Sequence, residues 1–482
     1  MQRLLWLVLL LPTALLAQPD TLWTRLVENA GFSALESLCS TADGGLAAAG
    51  VRAGQDSGRS EGWLMKIGLD GYPLWHRGFT RSRFEDFGRV LQTSDGGLLA
   101  AGSERIPEST FDAVLLVKTT AGGDTEWVST LDAYTTLSGR DVSIAAAGDT
   151  GYVIGHTRMD TVSASSDLAM AKLDLEGDTV WTRHYGGPFS DFGYLVRPLS
   201  DGYVTFGRVQ PSQSGDPEVM LVRTNTVGAA IWSRSFAPPS SVAHRGVGLL
   251  PTSDGGFLLG MTCEDNLGQQ ELLWLVRTNR QGTRMWTQSI TWNFARVYDM
   301  QPTRDGGFVV AGSDSTRWMI AKFDASGTAR WQQALPVPGR YGQTRLGGIV
   351  QLPDGGFAAC GSTLDSTAGY TVGLVLRTAP DPDLSAAEPP APTAVQSYRL
   401  EPCHPNPFNA ATRIAFALFA PSDLMLAIYD VNGRLIRTLA DGRFEAGRHE
   451  LRFDGAGLAT GLYFCRLRAG SAIDTQKMIL LR

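Results

Sequence analysis

Short apolar runs separated by Asp/Gly turns succeed one another through residues 20–379, and their lengths predict extended strands throughout. The second unit of the pattern is representative. Residues 88–93 lead into Asp95-Gly96-Gly97, which reads as a tight hairpin into the apolar run 98–101. After a polar loop come residues 113–118, a turn at Gly122-Gly123 and a last strand around Trp127. Tryptophans recur at 23, 75, 127, 181, 232, 286 and 331, and the Asp turns begin at 43, 95, 149, 201, 254, 305 and 354. A fixed period of about 50 residues with four short strands in each unit is the signature of a propeller blade.

The second half of the unit keeps its spacing most strictly. Lys66, Lys118, Lys172, Arg223, Arg277 and Lys322 each stand nine residues before a tryptophan, and a glycine stands four before it. The segment is therefore a hairpin. A two-residue loop would set the basic side chain across from the tryptophan, within reach of its ring. Asp174, Asn225, Asn279 and Asp324, three before their glycines, favour instead a type I turn with a glycine bulge, and the expected register puts the two side chains on opposite faces.

Trp23 opens the series without preceding strands, whereas the last unit runs to Arg377 and lacks a tryptophan. An N-terminal strand around Trp23 is expected to complete the final blade and close the ring, removing open sheet edges. The expected fold class is all-β: a seven-bladed β-propeller closed by an N-terminal strand, followed by a small immunoglobulin-like β-sandwich. The expected segments are a signal peptide at 1–17, the propeller at 19–379, a Pro/Ala-rich linker at 380–397 and the sandwich at 398–482. In the last segment Ile414, Phe416 and Leu418, then Leu426 and Ile428, Leu451 and Phe453, and Leu462, Phe464 and Leu467 mark the inward positions. Asn432-Gly433 marks a hairpin.

Pro405-Asn406-Pro407-Phe408-Asn409, the run from Ile428 through Tyr429, Asp430 and Gly433 to Arg434, and Gly461-Leu462-Tyr463-Phe464 appear in that order, before the ending Lys477-Met478-Ile479-Leu480-Leu481-Arg482. This series resembles the type A sorting domain of the type IX secretion system, which is similar to the immunoglobulin-like domain of flagellar hook-capping proteins. Ala410 departs from the family pattern, which has proline there, and Cys403-His404 is unusual for it. The resemblance implies export to the periplasm, passage through the outer membrane by the type IX machinery acting on residues 398–482, and attachment to the surface or release. The repeats themselves resemble those of uncharacterised secreted bacterial propellers with this tail, a likeness that brings no activity with it.

Charge and composition narrow the function. Lys and Arg number 42 against 48 Asp and Glu, for a net charge of -6, and no basic stripe appears, so nucleic acid is not an expected partner. Arg3, a leucine-rich run at 4–16 and Ala17 read as a cleavable export signal, and no later run is long enough for a membrane span. Cys39 and Cys360 stand where other repeats carry apolar residues and read as core fillers. Cys403 and Cys465, at opposite ends of the last domain, leave pairing open.

No dedicated calcium loop, histidine metal set, nucleophile elbow or phosphate loop occurs, and no metal or cofactor is expected. The turn aspartates and the basic residues recur in nearly every unit and read as framework. A binding site should be asymmetric, and asymmetry lies in the long loops opposite the tight turns. There Phe84, Asp86, Tyr134, Asp141, Phe189, Asp191, Phe294, Tyr298, Tyr341 and Arg345 are the candidate ligand-binding residues. The expected function is a monomeric binding or adhesion module for a glycan or protein. The alternatives are a glycoside hydrolase or lyase drawing two acids from Asp86, Asp141, Asp191 and Asp299, or a structural surface component.

Overall fold

The computed structural model describes residues 19–481 apart from 28–30, 54–58, 83, 107–111, 136–140, 161–164, 214, 240–244, 265–270, 292–295, 315–316, 336, 338–343, 366–368, 383–397, 401–402, 419–421, 431–433, 446 and 470–471. The export signal, most of the linker, Phe294, Tyr341 and Gly433 lie outside the described residues. Two compact units result, Met1–Ala386 and Ala387–Arg482.

The first unit contains seven four-stranded antiparallel sheets. Ser33–Ser40, Leu46–Ala53, Ser60–Ile67 and Pro73–Phe79 form the first blade, and five more follow in chain order. The seventh joins Arg345–Gln351, Phe357–Asp365 and Tyr370–Thr378 to Thr21–Val27, with Trp23 opposite Arg377 and Val27 opposite Gly373. The N-terminal strand thus closes the ring, as the repeat boundaries predict. Each innermost strand presents apolar residues to the neighbouring blade, and Phe87, Leu195, Leu249, Met300 and Leu346 are almost fully buried.

One register differs from expectation. The glycine-bulge turn is present, with Gly228 at φ 76° and its N–H donating to Asn225 O at 3.1 Å. However, the residue just before each tryptophan is also bulged out. Lys172 therefore pairs with Trp181, Lys66 with Trp75 and Arg277 with Trp286, so the two side chains share a face after all. Even so, the cation goes elsewhere. Lys66 Nζ meets Asp43 at 2.6 Å, Lys118 meets Asp95 at 2.8 Å, and Arg277 meets Asp254 at 2.7 Å. The repeated Asp and the repeated cation are two halves of one latch between the tight turns; in the third blade Lys172 instead donates to the carbonyls of Thr150 and Leu173.

Hydrogen bonds from Lys66 and Thr41 hold the Asp43 carboxyl down at about 2; at Asp95 partial burial is outweighed by the bonds from Lys118 and Thr93, again giving about 2. A depressed folded-state pKa gives stability that is complete above the unfolded value of about 4 and is lost as pH falls through the folded one. Thermal midpoints followed by circular dichroism should therefore fall between about pH 4 and pH 2, and Asp43→Asn should flatten part of that slope. An unchanged slope in the variant would separate this latch from acid unfolding.

The tryptophans latch blade to blade. Trp75 Nε1 donates to Ala121 O of the next blade at 3.1 Å, Trp127 to Leu175 O at 3.0 Å and Trp23 to Leu69 O at 3.2 Å. Each indole lies on the turn glycine it faces, so a Cβ at Gly123 would come within 2.9 Å of the Trp75 ring, whereas one at Gly96 meets nothing within 4 Å. Both glycines have φ near 85°. Gly96→Ala should cost about 1–2 kcal/mol of backbone strain, and Gly123→Ala a further 1–3 kcal/mol or so of overpacking, read from urea midpoints.

In the second unit a three-stranded sheet of Tyr398–Leu400, Ala411–Leu418 and Gly447–Asp454 accompanies a four-stranded sheet of Ser422–Asp430, Leu435–Phe444, Gly461–Ala469 and Ala472–Leu480. Ile414, Phe416, Leu418, Leu426, Ile428 and Phe453 are inward as expected. Strand Gly461–Ala469 corrects the reading of its parity: Tyr463, Cys465 and Leu467 are buried, while Leu462 and Phe464 are half-exposed. Tyr463 can enter the core because its hydroxyl donates to Ala459 O at 2.8 Å. No disulfide joins Cys403 and Cys465. They are buried thiols in contact, and a hydrogen bond from Cys465 holds Cys403 below the ordinary thiol value.

The Asn-Pro-Phe-Asn run closes this unit against its last strand. Asn406 donates to Lys477 O and accepts from Ile479 N, both at 2.8 Å; Phe408 N donates to Ile479 O at 2.9 Å, and Leu481 N to Phe408 O at 2.8 Å. Phe408 is buried against Phe453, and Asn409 is exposed. Ala410 follows at φ 68°, a conformation closed to proline. Tyr429 carries the Arg466 guanidinium 4.8 Å from its ring centroid, and Asp430 accepts Arg434 N at 2.9 Å.

Candidate functional site

The loops between blades and the loops before the cationic strands open at one end of the ring, opposite the tight turns. At this end Phe84 is 47% exposed, Asp141 and Phe189 are half-buried, and Tyr134 is placed only by its backbone in strand Thr125–Thr135. Three of the sequence candidates converge. Arg345 lies 5.4 Å from the Tyr298 ring centroid and 4.0 Å from Glu36, and Asp86 is close enough to act on its charge. Burial brings the Arg345 guanidinium down to about 10, an effect that Asp86 opposes. Arg345 and Asp86 each begin or nearly begin an innermost strand, so they stand at the mouth of the central channel.

Three of the four acids read as candidates for chemistry, Asp86, Asp191 and Asp299, are occupied otherwise. Asp191 is fully buried and accepts Gly187 N and Gln210 N, each at 2.8 Å, tying two loops together; burial raises its carboxyl against those bonds. Asp86 accepts Ser103 Oγ. Asp299 accepts Met300 N at 3.0 Å, Gln301 Nε2 at 2.9 Å and Ile349 N of the next blade at 3.0 Å, and burial raises it too. Backbone amides held this way fix a carboxylate in place and fill its lone pairs. Phe189 and Asp191 do not join the group around Arg345 in any described contact.

Below the mouth, the innermost strands enclose a channel cavity of about 470 Å³ lined by Arg89, Arg197, Asp299, Gln301, Ser37 and Ser143 among others. Of these only Asp299 figures among the sequence candidates. The signal for the arginines is positional. Six residues before each turn aspartate stand Ser37, Arg89, Ser143, Leu195, Gly248, Asp299 and Gly348; four before stand Cys39, Leu91, Ala145, Arg197, Leu250, Gln301 and Val350. Charges at Arg89, Arg197 and Asp299 interrupt positions that are otherwise small or uncharged. Among the described residues no group of three or more His, Cys, Asp and Glu could hold a metal ion, and no helix is long and apolar enough to cross a membrane.

Comparison with known proteins bears mainly on the tail. Residues 403–481 match the family described as secretion system C-terminal sorting domain. This tail marks type IX handling and export to the cell surface or the extracellular space. None of the curated proteins matches the sequence. Among solved structures, the chain is similar to a fungal alcohol oxidase of the AA5 family in complex with copper, at 12% identity and TM-score 0.47 over 97% of this chain and 100% of that one. The WD40 domain of Toxoplasma gondii coronin is 10% identical, with TM-score 0.43 over 76% and 89%. A protein of unknown function from Bacteroides caccae is 11% identical, with TM-score 0.36 over 63% and 94%. Likenesses this remote carry no argument about activity.

Proposed function

We propose that the exported propeller is a binding or adhesion module whose ligand, a glycan or a protein, docks on the loop end around Phe84, Asp86, Tyr298 and Arg345. One observation carries this reading over hydrolysis: Asp86, Asp191 and Asp299 accept hydrogen bonds from the protein's own hydroxyl, amide and backbone donors, and Asp191 is sealed from solvent. A glycosidase needs two carboxyl groups facing a common bond. The exposed Phe84 ring and the Tyr298–Arg345 stack offer instead an apolar surface with a fixed charge beside it, which suits a sugar face or a peptide.

The test is a glycan array and a panel of extracellular-matrix proteins probed with the mature chain, with reducing ends and unsaturated products assayed in the same wells. Binding without product, weakened about tenfold in Phe84→Ala and Arg345→Ala at unchanged thermal midpoint, supports the reading. New reducing ends or unsaturated products would replace it with an enzyme. Silence in every assay would replace it with a structural role at the surface.

A further inference from the structure

We infer that the central channel holds a second site, distinct from the loop end, in which Arg89 and Arg197 bind a small oxyanion of the carboxylate or phosphate class. Arg89 comes from the second blade, on Glu85–Gln92, and Arg197 from the fourth, on Phe192–Leu199; both line the cavity of about 470 Å³. That volume falls within the range of small-molecule sites. Of the charged residues lining it, two are cationic and one, Asp299 of the sixth blade, is anionic, which leaves one positive charge in excess.

Asp299 relieves that excess only through space, without an ion pair. Among the described residues neither arginine has a carboxylate within ion-pairing distance, although Asp299 lines the same cavity. The one described hydrogen bond of each goes to a carbonyl on its own strand: Arg89 Nη1 to Gly88 O at 3.3 Å and Arg197 Nη1 to Val196 O at 2.9 Å. A guanidinium has five N–H donors in a planar fork, so the described bonds commit only one donor of each fork. Asp299 cannot swing across to them, because donors from Met300, Gln301 and Ile349 pin both its oxygens to the wall.

Removing a guanidinium from bulk water without a paired carboxylate is costly. Burial pushes both arginines down, Arg197 to about 10; Asp299 offsets this only in part, while Arg245 works against Arg89 and Arg89 against Arg197. An oxyanion between the forks would relieve both penalties at once, through charge-assisted and bidentate hydrogen bonds. The repeat positions reinforce the point. The seven-fold framework places no charge at these two depths of the channel except Arg89, Arg197 and Asp299, so these arginines are not part of the repeated pattern.

Isothermal titration calorimetry on the mature chain at low ionic strength, with inorganic phosphate in one arm and citrate in the other, tests the site. The expected result is one-to-one binding of at least one of them, weakened about tenfold or more in Arg89→Gln and in Arg197→Gln and partly restored in Arg197→Lys, which keeps the charge but not the fork. Arg345→Gln, at the mouth, should bind as the parent does, which separates this site from the loop end. Near-ultraviolet circular dichroism and thermal midpoints verify that each variant is folded. If either glutamine variant is misfolded, the anion-induced rise in the parent's thermal midpoint, set against an equal ionic strength of choline chloride, takes its place. Failure of both anions to bind or to stabilise below about 10 mM, or binding unchanged in both folded glutamine variants, overturns the inference.

Discussion

A chain lacking residues 19–27 should lose the cooperative thermal transition of the parent and elute as aggregates in size-exclusion chromatography. The strand Thr21–Val27 supplies the outer quarter of the seventh blade, pairing along Tyr370–Thr378. Without it, that strand becomes an open edge with a row of unpaired backbone groups, a template for joining other chains. The loss also unfastens the first blade, because Trp23 Nε1 holds Leu69 O and the Trp23 ring covers Gly71. Domains are stable by only about 5–15 kcal/mol, and a break in a closed ring removes a large share of that. Addition of the peptide 19–27 in trans should recover part of the transition. A truncated chain that stays monomeric and melts at the parent's midpoint would show that closure is not what holds the ring.

The second large effect is expected at Lys322. Its ammonium is 1% exposed and lies 2.7 Å from Asp305, with Asp381 at 2.5 Å on its other side, and Asp381 is itself fully buried. Lys322→Met leaves two carboxylates facing each other without their cation. Breaking a buried pair from one side costs about 3–5 kcal/mol, read as a fall in urea midpoint at constant slope. Asp381→Asn should cost less, since Lys322 keeps Asp305 and an amide oxygen can still accept the Trp331 indole N–H, now at 3.0 Å from Asp381 Oδ1. Equal losses in the two variants would contradict a central role for the cation.

Periodicity made the architecture legible because every blade solves the same problem with the same residue types. Asp-Gly at the turn, a cation nine before the tryptophan and a glycine four before it recur because each makes one contact of the framework. What could not be read was how two bulges add up. The glycine bulge was visible in the Asp and Asn residues that start the turn, but the second, at Leu74 or Val180, has no special residue type, and it reverses the face on which the cation stands. Tyr463 was missed as an inward residue for a similar reason, since its hydroxyl hides an apolar ring whose polar end finds a carbonyl at the edge of the core.

The candidate site was legible only in part. Asp86, Tyr298 and Arg345 do stand together, because innermost strands begin at the same height around a ring. Asp191 reads in sequence like Asp86, flanked by phenylalanine and serine, yet it turns inward to hold a loop, a choice made by backbone amides nineteen residues and four residues away. The channel arginines were hidden because only alignment of the innermost strands on their turns sets Arg89 against six uncharged or acidic counterparts.

The exit of the chain from the ring has a consequence for the order of events during export. Thr378, paired with Thr21, is followed by Ala379, whose N–H donates to Asp20 O at 2.6 Å, and by Asp381, which takes the Trp331 indole that in other blades reaches a turn of the neighbour. Both ends of the ring are thus tied within a few residues of one another, at the place where the seventh blade has no turn of its own. The strand Thr21–Val27 is made first, yet it has no partner until the rest of the ring through Tyr370–Thr378 has followed. Completion of the circle and arrival of the sorting unit therefore fall close together in time. A chain clipped before residue 370 lacks both the partner of its first strand and the sorting unit at 403–481 that follows it.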